Sequence, residues 1–384
     1  MSTDGFKKKN MLLSPFNIGH YLLDKGYVHL NDLVSGHFSV HTGASRNHNF
    51  IINKEQKDAL FVKQPVVLEG NYIESIYTEA SCYWLAYNDE KYKLLADFLP
   101  KYYDYDYLSH ILITAYLSNS KNLHEYYLEN KLDGFISNKI AALLVSYHKK
   151  IIDAKEENHK SGKIFKRTVP MIFKIGDEDR KNWWKGGNEA EKLMLDLIDK
   201  DPDFLAAIKK VVDKWEINSL IHGDIKSANF LVDFDSTVNN GQKLLLIDWE
   251  LADFGDYCWD LAAVFQMYLL FWIYSQDVSE YSKGQEKFFN FSLEEVQQPI
   301  QEFWKYYCQL MEFDPAESDK ILNKTVNFCA LKLIHTCFES TPNAQFLSPY
   351  SAQMLQLSIN ILKHPKAVIA EVFGINKSDY AYAL

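Results

Sequence analysis

Cysteine is scarce in this chain of 384 residues, and Cys82, Cys258, Cys308, Cys329 and Cys337 form no Cys-x-x-Cys pair. Their mostly apolar, helix-like surroundings predict buried free thiols in a reducing cytoplasm. Long apolar runs are missing too: the longest, Leu261 to Tyr274, is interrupted by Gln266 and falls short of the ~20 residues a membrane helix needs, so a buried helix is expected and no membrane partner. The start carries Lys7, Lys8 and Lys9 but no secretory apolar core, because Asn10, Ser14, Asn17 and His20 break it up. Excess positive charge is also lacking. A formal net charge of −10 argues against a nucleic-acid ligand, since such binders displace counterions with Lys and Arg; it is the balance of an ordinary soluble surface and suits a cationic substrate better than an anionic one. Neither repeats nor low-complexity tails occur, and the remaining histidines, among them His110, His124, His148, His159, His335 and His364, lack metal-ligand spacing.

What is present is core-forming material: 47% of residues are hydrophobic and 24% charged. The first third has the texture of short antiparallel strands at 37–40, 49–53, 59–63 and 111–115, with helical patterns at 16–26 and 71–87. From about residue 120 the spacing turns helical, over 134–152, 187–215, 258–275, 295–312, 317–338 and 350–363. The charged stretch 149–167 reads as a solvated connection, and the aromatic clusters 102–107, Trp183-Trp184 and 265–274 as packing. The expected fold class is α+β, with a strand-rich part before a mainly helical one.

The chemistry concentrates between residues 219 and 250. Ile221-His222-Gly223-Asp224 leads through Lys226 and Asn229 into the apolar run Phe230 to Val232; a polar turn around Asn240-Gly241 follows, and Leu244 to Ile247 returns to Asp248-Trp249-Glu250. Two carboxylates and an amide oxygen on one hairpin match phosphoryl transfer, which needs an oriented hydroxyl and a magnesium ion on hard oxygen ligands. Asp224 would take the hydroxyl proton; Asn229 and Asp248 would hold magnesium, with Glu250 a possible second carboxylate and Lys226 a cation for the charge on the moving phosphoryl group. Asp253-Phe254-Gly255 spells the metal motif of protein kinases, but a metal Asp belongs at the end of the returning strand, which is Asp248.

This ordered set, continued by Gly255-Asp256 and Trp259-Asp260-Leu261-Ala262, resembles the aminoglycoside phosphotransferase and choline kinase family of the protein-kinase-like superfamily. Lys226 departs from it toward the protein kinases. The resemblance implies a bilobal kinase-like fold, with an antiparallel-sheet N-lobe at 1–117 and a mainly helical C-lobe at 118–384, using ATP and Mg2+. It further implies that Lys63 binds phosphate and pairs with a helix glutamate, Glu79 in preference to Glu74. The loop with Gly43 and Ser45 would cover the phosphates, and the hinge from Thr114 to Leu117, Ala115 and Leu117 included, would hold adenine through backbone groups.

The expected activity is transfer of the γ-phosphate of ATP to a hydroxyl of a small molecule: an amino alcohol, aminoglycoside, sugar or nucleoside. A Ser or Thr of a peptide, as in lanthipeptide-like pathways, is the alternative acceptor. A pseudokinase acting as a binding module is the alternative of another class, against which the retention of Lys63, Asp224, Asn229 and Asp248 speaks.

Overall fold

The computed structural model describes residues 11–43, 47–54, 59–149, 164–177, 179–180, 187–235, 242–276, 289–341 and 344–376. The class is α+β, as expected. Internal contacts divide the chain into two compact units, 1–121 with 230–252, and 122–229 with 253–384.

The first unit is built on a sheet of β1 (Ser39–Gly43), β2 (Asn47–Asn53), β3 (Leu60–Pro65), β4 (Tyr102–Asp106) and β5 (Ile111–Ala115), in the order β1-β2-β3-β5-β4, with every neighbouring pair antiparallel. Alternation sends Phe50, Ile52, Leu60, Val62, Ile111 and Ile113 into a core shared with Ile18, Tyr21, Leu22 and Val28. β4 lies where the sequence suggested only an aromatic cluster. Its Tyr-Tyr-Asp-Tyr-Asp alternates like a strand, but every residue is only half-buried, so the apolar signal of an inner strand is missing.

The helix Gly70–Asn88 supplies this unit's other layer, burying Ile76, Glu79, Ala80, Tyr83, Leu85 and Ala86. The hairpin of β8 (Phe230–Asp233) and β9 (Lys243–Leu246) joins β6 (Ser120–Asn122) in a three-stranded sheet. Here the structure differs from a division after residue 117. The segment 230–252 groups with the first unit because the turn Trp249–Leu251 packs against the helix Gly70–Asn88 and Asp248 pairs with Lys63. The turn at Asn240-Gly241 lies outside the described residues.

The second unit is helical, with Leu123–Glu129, Gly134–His148, Glu189–Asp199, Pro202–Val212, Cys258–Ile273, Leu293–Met311, Pro315–Glu339, Pro349–Lys363 and Pro365–Glu371. The pattern read as one helix over 187–215 is two. Pro202 has no N–H to continue the first, and the Asp201 side chain caps the second by accepting from the Phe204 amide at 3.0 Å. The helix Cys258–Ile273 is buried nearly all round, which accounts for its long apolar run. No helix of the described residues is long and apolar enough to cross a membrane. The five cysteines are buried free thiols. Trp183-Trp184 and most of 149–167 lie outside the described residues.

β7 (Ser219–Ile221) pairs antiparallel with β10 (Asp253–Gly255), Ile221 opposite Asp253. This short ribbon brackets the segment 222–252 and brings its two ends together. A Cβ on Gly255 would stand 2.5 Å from the Ile221 side chain and 2.9 Å from that of Trp215, so the ribbon needs a glycine there.

Candidate active site

Within the first unit, Lys63 is the centre. It sits on β3 and is 5% exposed, yet its ammonium has three carboxylate neighbours: Glu79 Oε2 at 2.6 Å, Asp248 Oδ1 at 2.8 Å and Glu250 Oε2 at 3.9 Å. Burial works against the charged lysine, but Glu79 and Asp248 outweigh it and hold its pKa above the ordinary lysine value. Burial pushes the Glu79 carboxyl above its ordinary value while Lys63, at 2.6 Å, draws it back. Of the two competing glutamates, Glu79 faces Lys63; Glu74 is exposed one turn earlier on the same helix.

Asp248 stands at the end of β9 with φ 66° and ψ 54°, a left-handed backbone that only glycine adopts freely. The buried Trp249, whose indole donates to the Leu246 carbonyl at 3.1 Å, braces that turn. The Asp248 side chain stays 31% exposed.

The other expected groups of this unit are placed unevenly. Gly43 ends β1 opposite Asn49, and a Cβ there would meet only ordinary contacts, so no close approach demands glycine. Ser45 lies outside the described residues. At the hinge, the Ala115 amide donates to the Lys101 carbonyl at 2.8 Å and the Tyr116 amide to that of Ala59. Leu117 is half-buried and accepts from Ser120 Oγ at 2.9 Å, while its N–H finds no described acceptor.

In the second unit, the loop after β7 is held from below. The buried Asp260 accepts from the His222 amide at 2.7 Å and the Gly223 amide at 3.0 Å, and it also contacts the Tyr147 hydroxyl at 3.0 Å and His148 Nε2 at 3.4 Å. Burial disfavours the Asp260 carboxylate, but His148 and the His222 amide keep its pKa below the usual range; burial pushes His148 below the ordinary histidine value, so the ring is neutral. Gly223 takes φ 80°, turning the chain so that Asp224 leaves the buried anchor and is partly exposed.

Asp224 Oδ2 accepts from Lys226 Nζ at 2.6 Å. Asn229 donates through Nδ2 to the Asp224 carbonyl at 2.8 Å and its carboxylate at 3.2 Å, and no described group donates to the Asn229 Oδ1. The amide orientation thus leaves a carbonyl oxygen, a hard acceptor, without a described donor. Among the described residues no group of three or more His, Cys, Asp and Glu side chains makes a metal site by itself.

Asp253 has a different occupation. Its carboxylate accepts from the Arg167 amide at 2.7 Å, the Thr168 amide at 2.7 Å, the Thr168 hydroxyl at 2.5 Å and the Phe254 amide at 2.8 Å. These donors use up its lone pairs, so it pins the segment 167–168 to β10. The role of Asp260, and with it His148, escaped sequence reasoning. The Trp-Asp-Leu-Ala run was visible, but a buried aspartate serving loop amides has no local spacing signature.

The model of the phosphotransferase enzyme family matches residues 175–296. Over that stretch, the chain is similar to that family. The matched segment contains Asp224, Lys226, Asn229, Asp248 and Asp260; Lys63 and Glu79 precede it. Among solved structures, choline kinase LicA from Streptococcus pneumoniae is similar at 15% identity and TM-score 0.42, covering 90% of this chain and 99% of its own. The choline/ethanolamine kinase family protein from Mesorhizobium loti gives 15% and 0.45, with 94% and 99% covered. The streptomycin-ATP ternary complex of aminoglycoside phosphotransferase APH(2")-IIa gives 16% and 0.48, with 92% and 99% covered. No curated protein matches the sequence.

Proposed function

We propose that the protein is an ATP-dependent kinase that moves the γ-phosphoryl group to a hydroxyl of a small molecule. The observation that carries this reading is the buried Lys63, held between Glu79 and Asp248. An ammonium fixed by one buried carboxylate and shared with a second, partly exposed one suits a group that neutralises nucleotide phosphates beside a metal ligand. The family match over 175–296 supports it from the other side of the chemistry.

In this reading Asp248, with Glu250 as a further carboxylate, is the Mg2+ ligand of the first unit, and the Asn229 Oδ1 is that of the second. Their hard oxygens fit that ion, which when bound would neutralise phosphate charge. The Leu117 N–H, free of described acceptors, is assigned to the adenine ring in preference to the Ala115 amide. Asp224 receives the acceptor's hydroxyl proton, and Lys226 beside it offsets the charge of the moving phosphoryl group. Asp260 keeps the loop amides of His222 and Gly223 in place, so Asp224 is aimed by a rigid anchor.

The test is Mg2+-dependent ATP binding by calorimetry, followed by phosphoryl transfer from labelled ATP to a panel of alcohols. Binding that requires Mg2+ and yields a phosphate ester supports the assignment; protein that binds no nucleotide contradicts it.

A further inference from the structure

Directly across the sheet from Lys63 stands an amide that the chemistry above does not use. Asn49 on β2 is paired with Lys63 on β3 and, on its other side, with Gly43 on β1. Phe50 and Ile52 turn into the core, so alternation sends Asn49 to the opposite face. There, directly opposed residues hold their Cβ atoms about 4.5–5.5 Å apart. It is the face on which Lys63 meets Glu79 and Asp248. A Cβ added to Gly43 would lie 3.6 Å from the Asn49 Cβ, so the glycine borders Asn49 without covering it.

The Asn49 side chain has no partner of its own. The residue is half-buried; its Oδ1 is sealed from water with no donor, and among the described residues its Nδ2 has no acceptor. Turned over, the amide would bury an unmet donor in place of the unmet acceptor. A buried amide end without a partner is costly, and nothing in the strand requires one: leucine has nearly the same shape without the polar atoms. Lys63 has the complementary surplus. Its ammonium carries three protons, two of which go to Glu79 and Asp248, while Glu250 at 3.9 Å lies beyond hydrogen-bond reach.

Building on the kinase reading, we propose that Asn49 is a nucleotide-binding residue that holds the phosphates beside Lys63. Nδ2 donates to a phosphate oxygen. Oδ1 takes the third proton of the Lys63 ammonium as the phosphates draw that ammonium from Asp248 and leave the carboxylate for the metal. A neutral amide suits this place better than a charged group. A carboxylate at position 49 would repel phosphate and compete with Glu79 for Lys63, and a second ammonium would compete with Lys63 for Glu79 and Asp248. What Asn49 recognises is the phosphate chain of a nucleotide, and a bare nucleoside gains nothing from it.

The experiment titrates ATP with Mg2+, and separately adenosine, into the full chain by calorimetry for wild type, Asn49→Leu and Asn49→Asp. The unfolding midpoint of each nucleotide-free protein is measured alongside. Asn49→Leu should raise the dissociation constant of MgATP by about tenfold, leave that of adenosine within about twofold, and not lower the midpoint, because it removes an unpartnered polar group from the fold. Asn49→Asp should weaken MgATP further than Asn49→Leu does. An unchanged MgATP constant in Asn49→Leu, an equal weakening of adenosine, or a lowered midpoint in Asn49→Leu each overturns the assignment, the last by making the amide structural. Wild-type protein that binds no MgATP sinks the kinase reading itself, whereas wild-type binding with any of those outcomes sinks only the role of Asn49.

Discussion

Lys63 and Asp248, 185 positions apart in the chain, meet at 2.8 Å, and Glu79 closes on the same ammonium at 2.6 Å. Removing one member of a buried ion pair strands the other without water, at about 3–5 kcal/mol. Glu79→Ala is therefore expected to lower stability by that order and to weaken ATP binding, whereas the exposed Glu74→Ala should do neither. Denaturant unfolding with a nucleotide titration checks both; equal effects from the two variants would remove Glu79 from its role.

Asp253 and Asp248 should separate by the kind of damage they do. Asp253→Ala deprives the Arg167 and Thr168 amides and the Thr168 hydroxyl of their acceptor, which costs about 3 kcal/mol of stability. Its Mg2+ requirement for nucleotide binding should match wild type. Asp248→Ala should instead shift the Mg2+ dependence. Magnesium titrations that respond to Asp253→Ala and not to Asp248→Ala would exchange the two assignments.

Gly255→Ala places a methyl 2.5 Å from the Ile221 side chain, within the ribbon that brackets the segment 222–252. Overpacking of this kind costs about 1–3 kcal/mol. The expected signature is a lower unfolding midpoint, partly restored by Ile221→Val, which shortens the clashing side chain. An unchanged midpoint would mean that the ribbon yields freely.

The His148–Asp260 pair predicts a pH signature. The folded pKa of His148 lies below 6.5, so the unfolded chain takes up a proton that the folded one refuses, and stability falls as pH drops through about 6.5. Asp260, also depressed, contributes stability that persists until the pH falls below its usual value of 3.8, outside this window. Between pH 7 and 5, His148→Gln should lose less stability than wild type, by up to about 1.4 kcal/mol per pH unit. Parallel stability curves for the two proteins would contradict a neutral, buried His148.

Much of this was legible in the sequence because the residues assigned to phosphoryl transfer crowd into one segment, and because 49–53, 59–63 and 111–115 are short apolar runs between turn residues. The choice of Asp248 over Asp253 rests on its place at a strand end. The second half of the site was harder to read. Nothing local marks Asp260 as the anchor of the loop before Asp224, since it reaches the His222 and Gly223 amides through helix packing. The half-buried β4 and the break at Pro202 eluded the hydrophobic pattern for related reasons: an edge strand shows weak alternation, and two helices capped end to end keep one continuous rhythm.

The most direct test of the kinase reading sets Asp224→Ala beside wild type, measuring Mg2+-dependent ATP binding and transfer to the best acceptor on the same preparations. Loss of the proton acceptor should lower kcat by about 10²–10⁴ while the ATP dissociation constant stays within a few fold. Turnover at the wild-type rate would contradict the assignment of Asp224 and of the hydroxyl transfer built on it.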